Sequence, residues 1–164
     1  PDDKLPAIVF WLMGSFAAAS NAKLYFVAPV VILGSALIYA LRFRINVLSL
    51  GDEEARSLGI RVETIRWTVF CAVALVSSAV VAAAGIVGWV GLVIPPIARF
   101  LTGPDHSRLI PAAALVGATY LVIVDDVART VAPAEIPIGI LTALIGAPVF
   151  ALLLRRAQRA WTRD

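Results

Sequence analysis

Cysteine and histidine each occur once in this chain, and charge is scarce. The lone Cys71 excludes a disulfide framework. It lies in an apolar stretch, where inert packing is expected. His106 sits in Thr102-Gly103-Pro104-Asp105-His106-Ser107-Arg108 with no second His or Cys nearby, so no metal site is expected and no Ser-His-Asp set can be assembled. No Gly-x-x-x-x-Gly-Lys-Ser/Thr loop is present, which excludes ATP hydrolysis by the chain itself. Enzyme chemistry has no visible seat, and no cofactor is expected. Charged residues make up 15% of the chain, against about 25% in soluble domains.

Apolar sequence takes the place of charge: 60% of residues are hydrophobic. Uncharged runs cover Leu5–Ala22, Leu24–Leu41, Trp67–Ala98, Leu109–Val124 and Ile136–Leu154. A membrane helix needs roughly 17–25 such residues. The third run has 32 residues, too long for one ordinary span and short for two. It reads as a helix over 67–84, a Gly-rich break and a second helix over 88–101. The predicted fold is therefore all-α: a polytopic helical membrane protein with about six segments, the first incomplete.

The net charge of +3 reflects topology, not a nucleic-acid partner. If segments alternate, one side holds Lys4, Arg42, Arg44, Arg56, Arg61, Arg66, Arg99, Arg108, Arg155, Arg156, Arg159 and Arg163. The other holds only Lys23 and Arg129. This asymmetry puts the first side, and the C-terminal tail, in the cytoplasm. The start, Pro1-Asp2-Asp3-Lys4, lacks the basic region of a signal peptide, and the chain is expected to be a fragment of a longer polypeptide.

Small residues punctuate the apolar runs. Gly85, Gly88 and Gly91 precede Pro95-Pro96. Glycine loosens a helix and permits close backbone approach, and proline lacks an N–H. The pattern predicts a tight reversal into a short, kinked helix, either a simple turn or one that also shapes a pathway or receptor surface. In the last run Gly139, Ala143 and Ala147 are spaced by four, with Gly146 beside them and Pro137 and Pro148 bracketing the set. Such a face suits close helix contact. It fits intramolecular packing, a subunit interface or a pathway wall.

Two polar regions remain. Asp125, Asp126, Arg129 and Glu135 gather at the non-cytoplasmic end of the fifth run. Asp125 and Arg129 have the spacing of a helical ion pair; the alternative is that Arg129 docks a partner from outside. The stretch from Arg42 to Arg66 carries five arginines and four acids. Within it Leu48, Leu50, Ala55, Leu58 and Ile60 alternate with charge, and Gly51 and Gly59 punctuate it. Asp52, Glu53 and Glu54 suit a helix N-terminus. Two short helices separated at Gly51 are predicted, the second over 52–58. Water alone does not require this apolar content, so the loop is expected to dock a soluble partner.

Three ordered blocks carry a family resemblance. They are Asn46-x-Leu48-x-Leu50-Gly51-Asp52-x-x-Ala55-x-x-Leu58-Gly59; Gly88-x-x-Gly91-Leu92-x-x-Pro95-x-x-x-Arg99; and Glu135-x-Pro137-x-Gly139-x-x-x-x-x-x-Gly146-x-Pro148. The chain resembles the FecCD-type permeases, the membrane subunits of type II ATP-binding-cassette importers for iron-siderophores, haem and cobalamin. It looks like the C-terminal half of a permease of about ten helices, beginning near the fifth, where Trp11-Leu12-Met13-Gly14-Ser15-Phe16 fits.

The resemblance implies a bacterial plasma (inner) membrane location and alternating access without chemistry in this chain. It implies three protein partners: a dimeric cytoplasmic ATP-binding subunit, an extracytoplasmic substrate-binding protein, and a second permease copy, identical or homologous. The loop over 46–60, with Leu48, Leu50, Gly51, Asp52, Ala55, Leu58 and Gly59, would match the ATPase-coupling helices. Arg129 would match an arginine that pairs with an acid on the binding protein. The first and last helices would line the pathway at the dimer axis, with Gly139, Ala143 and Gly146 on that face. Pro96 departs from the family's usual His, which puts the helix start there in doubt, and Asp126 departs from the usual apolar residue, offering Arg129 a partner within the chain. A secondary transporter or channel subunit without an ATPase is the alternative; it predicts polar residues at mid-membrane, and these runs have almost none.

Overall fold

The computed structural model describes residues 8–9, 11–16, 19–131 and 136–161, with side chains in the last helix described through residue 152 and at Arg155. Among these residues the secondary structure is wholly helical. The elements are α1 (Asn21–Ala40), α2 (Arg42–Leu48), α3 (Asp52–Ser57), α4 (Val62–Ala84), α5 (Val90–Thr102), α6 (His106–Thr130) and α7 (Ile138–Trp161).

Three helices, α1, α4 and α6, are long and apolar enough to cross a membrane. The first begins at Ser20, whose hydroxyl accepts from the Lys23 N–H, a standard N-cap that satisfies one of the orphan donors. It packs against α4. At their contact a Cβ on Gly34 would overlap the Val76 side chain, so this glycine sets how closely the two helices approach. The third long helix, α6, outruns the uncharged stretch predicted for it and takes in Asp125, Asp126 and Arg129 as its last turns. That extension supplies the length the apolar run alone lacked.

The short second helix expected over 88–101 is α5. It has 13 residues, a rise of about 20 Å, short of a hydrocarbon core of about 30 Å. The remainder of the 67–101 stretch is the reversal over 85–89. Gly85 ends α4 with φ 75°, and Trp89 caps α5 with φ 67°. The helix starts at Val90, upstream of both prolines, so Pro96 lies inside it and does not set its start. Prolines at 95 and 96 leave the carbonyls of Gly91 and Leu92 without an i+4 donor. In the last helix the described apolar stretch is Ile138–Leu152, and the sequence continues it through Leu154.

The backbone sorts into two ends. At one, the Ser15 N–H donates to Ala84 O (2.9 Å) and the Gly139 N–H to Met13 O (3.1 Å). Val124, Ala128 and Ile138 form a buried cluster there, with Phe16, Val87, Tyr120, Leu121 and Leu141 against it. At the other end, the α2–α3 loop meets the start of α6. This is the sorting that the charge pattern predicts. Large side chains elsewhere stay outside: Phe26 is 82% exposed and Phe100 87%. Apolar surface on that scale suits lipid or further helices, not water. Cys71 is a free cysteine among the exposed positions.

Candidate coupling loop and outer charge pair

The region between α1 and α4 folds as two short helices broken at Gly51. The glycine has φ 129°, a conformation that side chains rarely adopt, and three acids follow it in the first turn of α3. The helix ends as a Schellman motif: the Gly59 N–H donates to Arg56 O (2.9 Å) and the Ile60 N–H to Ala55 O (3.0 Å). Gly59 takes φ 77°, as the motif requires. Glycine spacing in the sequence thus fixes both boundaries of α3.

Charges tie the loop to α4. The Arg66 Nη2 lies 2.9 Å from Asp52 Oδ1 and 3.1 Å from Oδ2. Glu63 approaches both Arg66 and Arg56 at 3.6 Å. Each pair is half-exposed, and such pairs singly contribute about 1 kcal/mol or less. Linked together, they orient α3 on the first turn of α4.

The predicted loop residues divide by environment. Ala55 is fully buried (0% exposed), so it holds the loop together from inside and offers a partner no contact surface. Gly51 and Gly59 shape the backbone, and Asp52 anchors it. Leu48 is half-buried. Leu50 and Leu58 are 66% and 64% exposed, two large apolar side chains on an otherwise charged, internally braced surface. Beside them, a groove of about 360 Å³ is lined by Arg44, Gly59, Ile60, Arg61, Thr64 and Ile65.

The Asn46 amide in α2 reaches the start of α6. Its Nδ2 donates to Asp105 Oδ1 (2.6 Å), and its Oδ1 accepts from the His106 backbone N–H (2.8 Å) and lies 2.7 Å from His106 Nδ1. Asp105 is also the N-cap of α6, accepting from the Ser107 N–H at 2.9 Å. The Ser107 N–H, and after it the Asn46 amide, hold the Asp105 carboxyl below its ordinary range. The N-cap was legible from Asp105 preceding a helix; nothing local indicated a partner 59 residues away.

At the opposite end, Arg129 Nε lies 2.9 Å from Asp125 Oδ2. The predicted helical pair therefore forms, and the partner Arg129 takes within the chain includes Asp125. Arg129 stays 46% exposed at its side chain. A cation in the last turn also complements the helix dipole. Glu135 lies outside the described residues.

The small-residue face of α7 is filled from within the chain at two of its three predicted positions. A Cβ on Gly139 would overlap the Met13 carbonyl, and one on Gly146 would meet the Trp89 side chain. Ala143 is half-buried. Gly139 and Gly146 thus make close contacts within the chain.

The profile of the FecCD transport family matches residues 1–156. The molybdate import system permease protein MolB of Haemophilus influenzae is 48% identical over 96% of this chain and 47% of its own length. The hemin transport system permease protein HmuU of Yersinia pestis is 42% identical over 96% of this chain and 47% of its own. The cobalamin import system permease protein BtuC of Halobacterium salinarum is 42% identical over 90% of this chain and 40% of its own. A solved chain described as an inward-facing ABC transporter assigned to the metal-chelate type superposes with a TM-score of 0.90 at 48% identity, over 94% of this chain and 50% of that one. The chain thus spans about half the length of the relatives it matches. The similarity is to transport permeases, not to enzymes.

Proposed function

The chain belongs to the FecCD transport family, and from that premise we propose that it is the C-terminal half of a permease subunit in an ATP-driven importer. The observation that carries this reading is the α2–α3 loop. Leu50 and Leu58 stand exposed on a scaffold whose glycines, buried Ala55 and ion pairs are all spent on keeping it rigid. A preorganised surface with two apolar anchors suits docking into a groove of a soluble subunit. In this reading the groove belongs to a cytoplasmic ATP-binding dimer, the loop faces the cytoplasm, and a second permease copy completes the pathway.

The outer end, with Arg129, would receive a substrate-binding protein. ATP-driven closure of the ATPases would move the loop, and the helices would open to one side or the other. The cargo is a metal chelate (iron-siderophore, haem or cobalamin) or a metal oxyanion. Molybdate joins that class because the relative named for it shares 48% identity, against 42% for those named for hemin and cobalamin.

The test uses full-length permease with its ATPase at matched expression. Leu50→Ala/Leu58→Ala should insert normally but copurify less ATPase, because truncating an interface anchor costs about 2 kcal/mol or more, roughly thirtyfold in affinity. Ser49→Ala and Ser57→Ala should matter less. Uptake is assayed with molybdate, haem, cobalamin and a ferric hydroxamate. Normal copurification and uptake in the double variant would sink the coupling role and leave a transporter without an ATPase as the better account.

A further inference from the structure

We propose that Asn46 is a positioning residue for transport: its amide clasps the coupling loop to the start of α6, so that displacement of the loop is delivered to that helix. The proposal rests on the importer reading above. Its geometry is closely determined. The His106 backbone N–H can only donate, which fixes the Asn46 Oδ1 toward it (2.8 Å). The Nδ2, a donor, is thereby turned onto the Asp105 carboxylate (2.6 Å). With Oδ1 an acceptor, the His106 Nδ1 beside it (2.7 Å) carries the proton. One side chain thus makes three hydrogen bonds to two consecutive residues, one of them to the N-cap of α6.

The mechanical consequence follows from where the two partners sit. Asn46 belongs to α2, which packs against α6 and leads directly into the exposed Leu50. Asp105 and His106 open a helix of 25 residues, about 37 Å long, whose last turns carry the Arg129–Asp125 pair. The helix therefore runs from the proposed ATPase surface to the proposed binding-protein surface. A hydrogen-bonded link at its start is short and directional, whereas apolar packing alone would let the loop slide. Asp105, holding both the Ser107 N–H and the Asn46 amide, makes the link part of the helix cap itself.

The hydrogen-bond polarity provides a test that a purely steric role would not pass. Asn46→Asp sets a carboxylate against Asp105 and removes the donor between them. Asp105→Asn alone keeps an acceptor for both the Asn46 amide and the Ser107 N–H, and Asn remains a good N-cap. Combined with Asn46→Asp, it removes the like charge and can offer a donor from the other side, though only by turning its amide away from the Ser107 N–H, because both bonds fall on Asp105 Oδ1.

The readout is uptake per ATP hydrolysed by the reconstituted full-length transporter with its ATPase and binding protein. The cargo is whichever of molybdate, haem, cobalamin and a ferric hydroxamate the unaltered transporter takes up. Asn46→Asp should lower this ratio by about tenfold, within the range of ordinary coupling energies. Asp105→Asn, which keeps an acceptor, should lower it less than Asn46→Asp, and the double variant should lose less than the two single losses combined, the non-additivity expected of contacting residues. Asn46→Ala, which removes all three bonds without adding charge, should move the ratio in the same direction as Asn46→Asp.

An unchanged ratio in Asn46→Asp or Asn46→Ala overturns the proposal. So does a double variant whose loss equals the two single losses combined, because Asn46 and Asp105 then act independently. If neither single variant accumulates in the membrane, the clasp is a folding contact only and the proposal falls. Failure of the unaltered permease to bind any ATPase is a separate result, and it defeats the importer reading instead.

Discussion

Gly146 lies directly against Trp89: a Cβ added to the glycine would come within 2.5 Å of the Trp89 Cβ. Trp89 is the one non-glycine residue with positive φ among those described, a conformation that costs roughly 1–2 kcal/mol. Its ring meets Phe150 edge-on, with centroids 6.4 Å apart. The strained residue is thus held between the reversal after α4 and the bare face of α7. Gly146→Leu should destabilise the full-length permease by about 1–3 kcal/mol, the usual cost of overpacking. Adding Trp89→Gly, which removes that Cβ and tolerates the positive φ, should relieve part of that loss. Thermal unfolding in detergent checks both; additive effects would separate the two residues.

The α2–α3 loop offers a local test of its own. Gly59 takes φ 77° with nothing within 4 Å of a Cβ position, so only backbone strain opposes a side chain there. Gly59→Ala should cost about 1 kcal/mol through the left-handed conformation. Ala55→Leu should cost about 1–3 kcal/mol by overpacking a fully buried site. Either change should speed tryptic cleavage at Arg56 and Arg61 in inside-out vesicles. Leu58→Ala, at an exposed position, should leave cleavage unchanged. Equal protease resistance in all three variants would mean that the loop is not braced as described.

Much of this architecture is legible in sequence because it rests on local rules. Gly51 and Gly59 bound α3, the acids after Gly51 mark its start, and Asp125 and Arg129 pair at helical spacing. Hydropathy finds the long helices, since lipid makes composition decisive. What stays hidden is whatever depends on distant chain segments. Gly139 and Gly146 read as a small-residue stripe, yet which surface fills it depends on Met13 and Trp89. Ala55 sits among the leucines in the motif, and only the fold shows that it turns inward. The Asn46 link to Asp105 and His106 joins α2 to the start of α6 across the whole of α3, α4 and α5, beyond the reach of any spacing rule.

Topology follows from the twelve-to-two division of the fourteen basic residues. The structure brings Asn46 and Asp105 to one end and Met13 and Gly139 to the other, as alternation requires. A reporter fused after Arg163 should therefore lie in the cytoplasm, and one inserted after Val131 outside it. Accessibility labelling of a single cysteine at each position gives the same answer by another route. A protected site after Val131 together with an external C-terminus would invert the map and detach the α2–α3 loop from any cytoplasmic ATPase.

Arg129, in the last turn of α6, separates two proposed roles for one guanidinium. Its Nε is engaged by Asp125 at 2.9 Å, and a pair of this kind on a helix surface contributes about 0.3–0.5 kcal/mol. That is too little to keep the side chain from a better acid on an incoming protein. If Arg129 docks the substrate-binding protein, Arg129→Glu should weaken association by about 2–5 kcal/mol, the range for a specific charge pair at an interface. Asp125→Asn should then leave that affinity unchanged or raise it, because it loosens the competing contact. If instead Arg129 only closes α6, both changes should alter thermal stability slightly and binding not at all. Titrating the binding protein onto full-length permease in nanodiscs, at low and high salt, separates the outcomes. A docking pair loses affinity with salt in the unaltered permease and far less so in Arg129→Glu, because screening acts on the attraction that variant has lost.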